Sequence, residues 1–225
     1  MPLSFHIFRR SLVVAALALS PIALTAVMPA PVQAQAFSAL RQAIAVAAAS
    51  NEDLVAFYRD RDFEPVWTTT EAGDRRAALL GALDQAENHG LPVDRYDIDA
   101  LRAAFRDATN PYMRGQADVL ASRVFLRYAQ DVHGGFLDPS SIIPDIFQDQ
   151  PYRDPYGLMT EFLDSNPHEF IAHLPPQAPD YMRLMRTKLE LETLAGQGGY
   201  GPIVQAGSLR PGDTGPAVGQ LRHRL

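Results

Sequence analysis

Groups that could carry chemistry sit in a few clusters along this 225-residue chain. His168-Glu169 and His173 have the types of a zinc-protease helix. That chemistry needs two imidazoles four residues apart on one helix face. A spacing of five turns the second roughly 140° from the first, so both are read as solvated helix-end histidines. Asp60, Asp62 and Glu64 alternate with Arg59 and Arg61, and a charge run of this kind is read as a solvated segment. Gly196-Gln-Gly-Gly-Tyr-Gly201 satisfies G-x-G-x-x-G. A dinucleotide needs a strand before that pattern and a helix after it; here a helical pattern precedes it and Pro202 follows. Trp67, the single tryptophan, lies near Tyr58 and Phe63 and is read as core rather than as a sugar platform. A Ser-His-Asp triad cannot be read from spacing, because the fold assembles it. The chain has no cysteine and hence no thiol nucleophile. No catalytic, cofactor or metal-binding residue is assigned, and no sugar or peptide site is located.

The elements that would position such groups are helical. Phe37, Leu40 and Ile44 recur at helical spacing. Asn51 caps a short helix with Leu54, Val55 and Tyr58. Asp74 precedes Leu79, Leu80, Leu83 and Ala86, and that run stops at His89-Gly90, where glycine takes the left-handed position. Asp97 caps a helix with Ile98, Leu101 and Phe105. Asn110-Pro111 opens the longest helix, with Met113, Ala117, Leu120, Val124 and Tyr128 on its apolar stripe, ending at His133-Gly134-Gly135. Asp154-Pro155 and Asn166-Pro167 each read as a cap followed by proline at the first helical position. Pro179 opens a last long helix with Tyr181, Leu184, Met185 and Leu189, ending at Gly196. A short extended piece is expected between Phe63 and Thr70. The fold class is all-α.

The first 34 residues read differently from the rest. Arg9-Arg10 is followed by an apolar run from Leu12 to Met28 and then by Val32-Gln33-Ala34-Gln35-Ala36. A basic start, an apolar middle and small residues at A-x-A spacing are the marks of a secretory signal peptide. Cleavage is expected after Ala34, or second after Ala36. Pro21 and the shortness of the run argue against a retained membrane anchor. The residues leave open which export route Arg9-Arg10 serves. The segment holds two of the 20 basic residues and none of the 26 acidic ones, so its removal takes the net charge from −6 to −8. That acidity argues against nucleic acid as a partner. An exported chain without cysteine has no disulfides and depends on its core.

Gln197 to Ser208 is glycine-rich and reads as a linker. Leu209 then opens L-R-P-G-D-T-G-P-A-V-G-Q-L-R-H-R-L225, with turn glycines at 212 and 215, Pro216 at a first helical position, and Val218, Leu221 and Leu225 on one face. This 17-residue stretch resembles the opening of the small three-helix peptidoglycan-binding domain. Further upstream, Phe57-Tyr58-x-x-Arg61-x-Phe63-x-Pro65-x-Trp67 is similar to a signature of the helical scaffold domain in periplasmic L,D-transpeptidases. Ala86-Glu87-x-x-Gly90-Leu91 with Tyr96, Tyr128-x-x-Asp131 with Gly135 and Asp138-Pro139, and Pro175-Pro176 with Pro179-x-Tyr181 and Leu184 resemble the later blocks. Phe136 stands where the family usually has arginine.

The resemblance implies peptidoglycan as partner, a periplasmic location, and no stable membrane anchor after signal cleavage. It divides the chain into a signal (1–34), a scaffold domain (35–196), a linker (197–208) and the start of a peptidoglycan-binding domain (209–225). In that family a cysteine in a later domain forms an acyl-enzyme and passes it to an amine. Neither the cysteine nor that domain is in this sequence, so these residues are expected to be inactive alone. They read as the non-catalytic front of such an enzyme, truncated within the small domain. A stand-alone periplasmic adapter is the alternative, and the front of another wall enzyme is a third. Val218, Leu221 and Leu225 are expected to lack packing partners, leaving this end loosely docked.

Overall fold

The computed structural model describes residues 30–137, 139–142 and 151–224. The signal segment up to Pro29, Asp138 and Leu225 lie outside the described residues. The described residues are all helical, joined by turns, without a strand. The helices are α1 (Ala30–Ala48), α2 (Glu52–Asp60), α3 (Gly73–Asp84), α4 (Ile98–Asp107), α5 (Pro111–Gly134), the short α6 (Pro139–Ile142), α7 (Pro155–Asp164), α8 (Pro167–Ala172), α9 (Pro179–Gly196) and α10 (Pro216–Arg224). None is long and apolar enough to cross a membrane. The first helix runs through Ala34 and Ala36, the two expected cleavage positions.

Local chemistry sets most helix starts. A free backbone N–H in the first turn takes an oxygen from the residue before it. Asn51 accepts from Leu54 N at 2.9 Å, Asn110 from Met113 N at 2.9 Å, and Asp154 from Gly157 N at 2.7 Å. Asn166 serves both His168 N and Glu169 N, at 3.0 and 3.1 Å. Pro111, Pro155 and Pro167 follow their caps at the first helical position, where a missing N–H costs nothing. The helix expected after Asp74 begins one residue earlier, at Gly73, and stops at Asp84. The chain then tightens into a 3-10 turn, Ala86–His89, closed by Gly90 at φ 74°.

α5 is the centre. α1 lies along it, and α4 packs against it. α2 packs on α7 and α3 on α8 around this pair. The close approach of α1 depends on Gly115, where a Cβ would stand 2.6 Å from Ala43 Cβ and 2.9 Å from the Ile44 backbone nitrogen. The stripe expected on α5 is only partly the buried face. Ala117, Val124 and Tyr128 are buried, but Met113 is exposed and Leu120 only half-buried. Asp118, Val119, Ser122 and Phe125 are buried instead. Surrounded by neighbours on several sides, α5 buries more than a single stripe, and two of these buried positions are polar. Trp67 is fully buried, stacked 5.4 Å from Phe162, which itself stacks 4.4 Å from Phe125.

α9 and α10 bury none of their residues. Of the stripe expected on α9, Leu184 is largely exposed, and Tyr181, Met185 and Leu189 are half-buried. α9 touches the body chiefly at the Ala86–His89 turn. α10 begins at Pro216, as its spacing predicts, and Arg224 reaches the carbonyls of Gly201 and Pro202.

Candidate functional site

Two acids on α5 organise the polar interior. Asp118 is fully buried. Its Oδ1 accepts from Tyr58 Oη at 2.7 Å and Val66 N at 3.0 Å. Its Oδ2 accepts from Trp67 N at 2.9 Å, and from Thr68 N and Oγ1 at 2.8 Å each. The one Tyr58 proton goes to Asp118, so Ser122 Oγ donates to Tyr58 at 2.8 Å. Ser122 in turn accepts from Trp67 Nε1, also at 2.8 Å. The donors run one way, from indole to hydroxyl to phenol to carboxyl. Burial, and next the Asp118 charge, push the Tyr58 phenol well above its usual range.

The carbonyls of the same segment face arginines. Arg75 binds Val66 O, Arg76 binds Trp67 O and Thr69 O at 2.6 and 3.0 Å, and Arg114 binds Thr68 O at 2.9 Å. The piece expected to be extended between Phe63 and Thr70 is thus a pinned loop, its backbone satisfied by side chains from α3 and α5 rather than by another strand. Asp62 and Phe63, at φ 53° and 55°, turn the chain into it, and Phe63 N bonds back to Tyr58 O at 2.7 Å.

The second acid, Asp131, accepts from Arg95 Nε at 2.7 Å and Tyr96 Oη at 3.0 Å. The hydrogen bond to Asp131 holds the Arg95 guanidinium above its ordinary range. Burial followed by the Asp131 charge raises the Tyr96 phenol. Nearby, His89 Nδ1 and Tyr181 Oη are 2.7 Å apart, and their rings stack with centroids 6.2 Å apart. Burial, and then Lys188, lower the His89 pKa and favour the neutral ring.

Beside this pair lies a cleft of about 530 Å³. α3 contributes a wall of Ala77, Ala78, Gly81 and Ala82, and α8 and α9 close the other side with Ile171, Met182 and Met185. Tyr128 lines it from α5, with His89 and Tyr181 at the edge. Burial pushes the Tyr128 phenol up to about 12, with Tyr181 adding to it.

A model of the scaffold domain matches residues 52–187. The chain belongs to the scaffold-domain family. No curated protein and no solved structure matches it.

The scaffold domain does not bring the clustered polar residues together. Asp60 accepts from Tyr156 Oη at 3.0 Å, and Glu64 pairs with Arg41 at 3.1 Å. Asp62 is exposed at the turn. His168 lies in the first turn of α8, and His173 follows the last, its Nδ1 2.7 Å from Glu169 O. Gly198, Gly199 and Gly201 take positive φ in the turns after α9. Trp67 is core, as read from its type. Sequence reasoning missed Asp118, Ser122, Arg95 and His89. Asp118 and Ser122 did leave a signal: two polar residues four apart inside an apolar helical run mark one buried polar stripe.

Proposed function

We propose that this scaffold domain is the helical framework of an exported L,D-transpeptidase that remodels peptidoglycan, and that these residues serve structural and wall-associated roles rather than the acyl transfer itself. The observation carrying this reading is the scaffold-family match over 52–187. It covers the signature from Phe57 to Trp67, of which Tyr58 and Trp67 close the network around Asp118. A buried, saturated acceptor of this kind rigidifies a framework and is unavailable for proton transfer. The 225 residues contain no cysteine, so an acyl-thiol step needs a nucleophile from outside them. The missing thiol equally favours the second reading, a periplasmic adapter with no activity of its own.

The test is recovery of the native protein from its source cells, with intact mass and N-terminal peptide. The expected result is a periplasmic protein beginning at Gln35 that co-sediments with peptidoglycan sacculi. A mass above that of residues 35–225, with a reactive cysteine in the added part, selects the transpeptidase. A mass matching 35–225 selects the adapter. A cytoplasmic protein retaining Met1 and ignoring sacculi overturns both.

A further inference from the structure

α9 is held to the body by very little. It buries none of its residues. Among the described residues, its side-chain hydrogen bond to the body is the one between Tyr181 Oη and His89 Nδ1. These two residues line two hollows at once. The first is the cleft of about 530 Å³, with the α3 wall on one side and Met182 and Met185 of α9 on the other. The second, of about 390 Å³, is bounded by Gly90, Leu91, Val132, His133 and Phe136. The stacked pair is thus the partition between them.

The groups around His89 decide when that partition holds. α9 supplies the Tyr181 phenol and the Lys188 ammonium. Lys188 Nζ is buried, and its carboxylate partner Glu192 lies one turn along the same helix, 2.5 Å away. α5 brings Tyr128 to the first hollow, and Asp131 and His133 to the second. Asp131 already accepts from Arg95 and Tyr96, and His133 Nδ1 is 3.4 Å from Leu174 O. α8 brings His168, and the turn itself brings Glu87, which is exposed. No described carboxylate is bonded to His89. A protonated ring carries hydrogens on both nitrogens, so Tyr181 could only accept from it. It would also set a second positive charge against Lys188 in half-buried surroundings, where water screens poorly. Burial and then Lys188 lower the His89 pKa, the direction this geometry requires.

We propose that α9 is a strap released by acid: with His89 neutral, Tyr181 holds it across one trough and divides that trough in two, and proton uptake by His89 frees it. Release joins the hollows, uncovers the α3 wall and lets the chain after Gln197 change its position against the body. The clipped state is favoured above the ordinary histidine pKa, near 6.5, and loses ground below it, because only the released ring takes the proton readily. The device governs access and position, and it does not depend on the wall-associated reading above.

The sequence has no cysteine, so one introduced thiol reports one place. Ala82→Cys probes the α3 wall and Ala121→Cys the interior of α5; both alanines are buried. Each protein, expressed from the full 225-residue sequence, is reacted with a maleimide at pH 7.5 and 5.5. Dividing by the rate of the same chain unfolded in urea removes the pH dependence of the thiol itself. Ala82→Cys should label at least about a hundredfold faster than Ala121→Cys at both pH values, because strap release is local and needs no global unfolding. Its corrected rate should rise about three- to tenfold at pH 5.5; about tenfold is the ceiling for one proton taken up by a ring of ordinary pKa. Adding His89→Gln should hold the rise below about twofold. Adding Lys188→Met, which removes the facing charge, should leave a rise smaller than with Lys188 in place. Equal labelling of the two thiols, a corrected rate that does not rise, or a full rise that survives either His89→Gln or Lys188→Met overturns the strap.

Discussion

Asp118 brings two acceptor oxygens into the core, and donors meet both of them. Oδ1 faces Tyr58 Oη and Val66 N; Oδ2 faces Trp67 N, Thr68 N and Thr68 Oγ1. Asparagine has the same shape, yet whichever oxygen becomes NH₂ then confronts at least one backbone N–H. Donor against donor leaves both buried groups unsatisfied, at about 1–3 kcal/mol each. Asp118→Asn should therefore destabilise the domain by at least about 3 kcal/mol in urea unfolding. A loss below about 1 kcal/mol would mean the network is not a stability element. The residue scale also explains why no catalytic role falls to this acid: every donor around it is already engaged, and water has no access.

Among the elements, the α1–α5 crossing and the seating of α9 make opposite demands. The crossing is tight because Gly115 has no side chain. In an unhindered helix interior, Gly→Ala stabilises by about 1 kcal/mol. Here the added Cβ meets backbone atoms of α1, which cannot swing aside, so the sign should reverse. Gly115→Ala should cost about 1–3 kcal/mol, read as a lowered Tm; a raised Tm would show that α1 is free to move off α5. α9, by contrast, buries no residue and is held near one histidine. The His89 pKa is lowered by burial, so the folded state prefers the neutral ring. The unfolded ring titrates near 6.5. Stability from this contact is therefore full above that value and is lost as pH falls through and below it. Hydrogen exchange of α9 amides, corrected for intrinsic rates, should show weaker protection at pH 5.5 than at 7.5. His89→Gln should remove that difference. An unchanged pH dependence in the variant would place the titrating group elsewhere.

At the scale of the molecule, stability is uneven along the chain. The body from Leu40 to Leu174 holds the buried core, whereas nothing from Pro179 to Arg224 is buried. Segments with few buried contacts open first. Limited trypsin digestion should therefore cut at Arg210 and within α9 before it cuts Arg75, Arg95 or Arg114, whose side chains are tied into the body. Early cleavage at Arg114 would show that α5 is not the centre of a cooperative unit.

Much of this architecture was readable residue by residue. Helix starts at Asn51, Asp97, Asn110, Asp154 and Asn166 were visible because capping is local: an oxygen, a turn and a following N–H lie within four residues. The same holds for Gly90, which only needs a left-handed backbone. The burial of Trp67 followed from its size and type. The tertiary structure alone decided three things. It placed Asp118 under the Val66–Thr68 loop, some 50 residues away in sequence, because hydrogen-bond partners across that distance leave no periodic trace. It left α9 uncovered although its apolar spacing matches that of buried helices, because periodicity marks a face and not what covers it. It opened a cleft beside Tyr128, because the walls come from segments far apart in the chain that only the packing of α3, α5, α8 and α9 brings together.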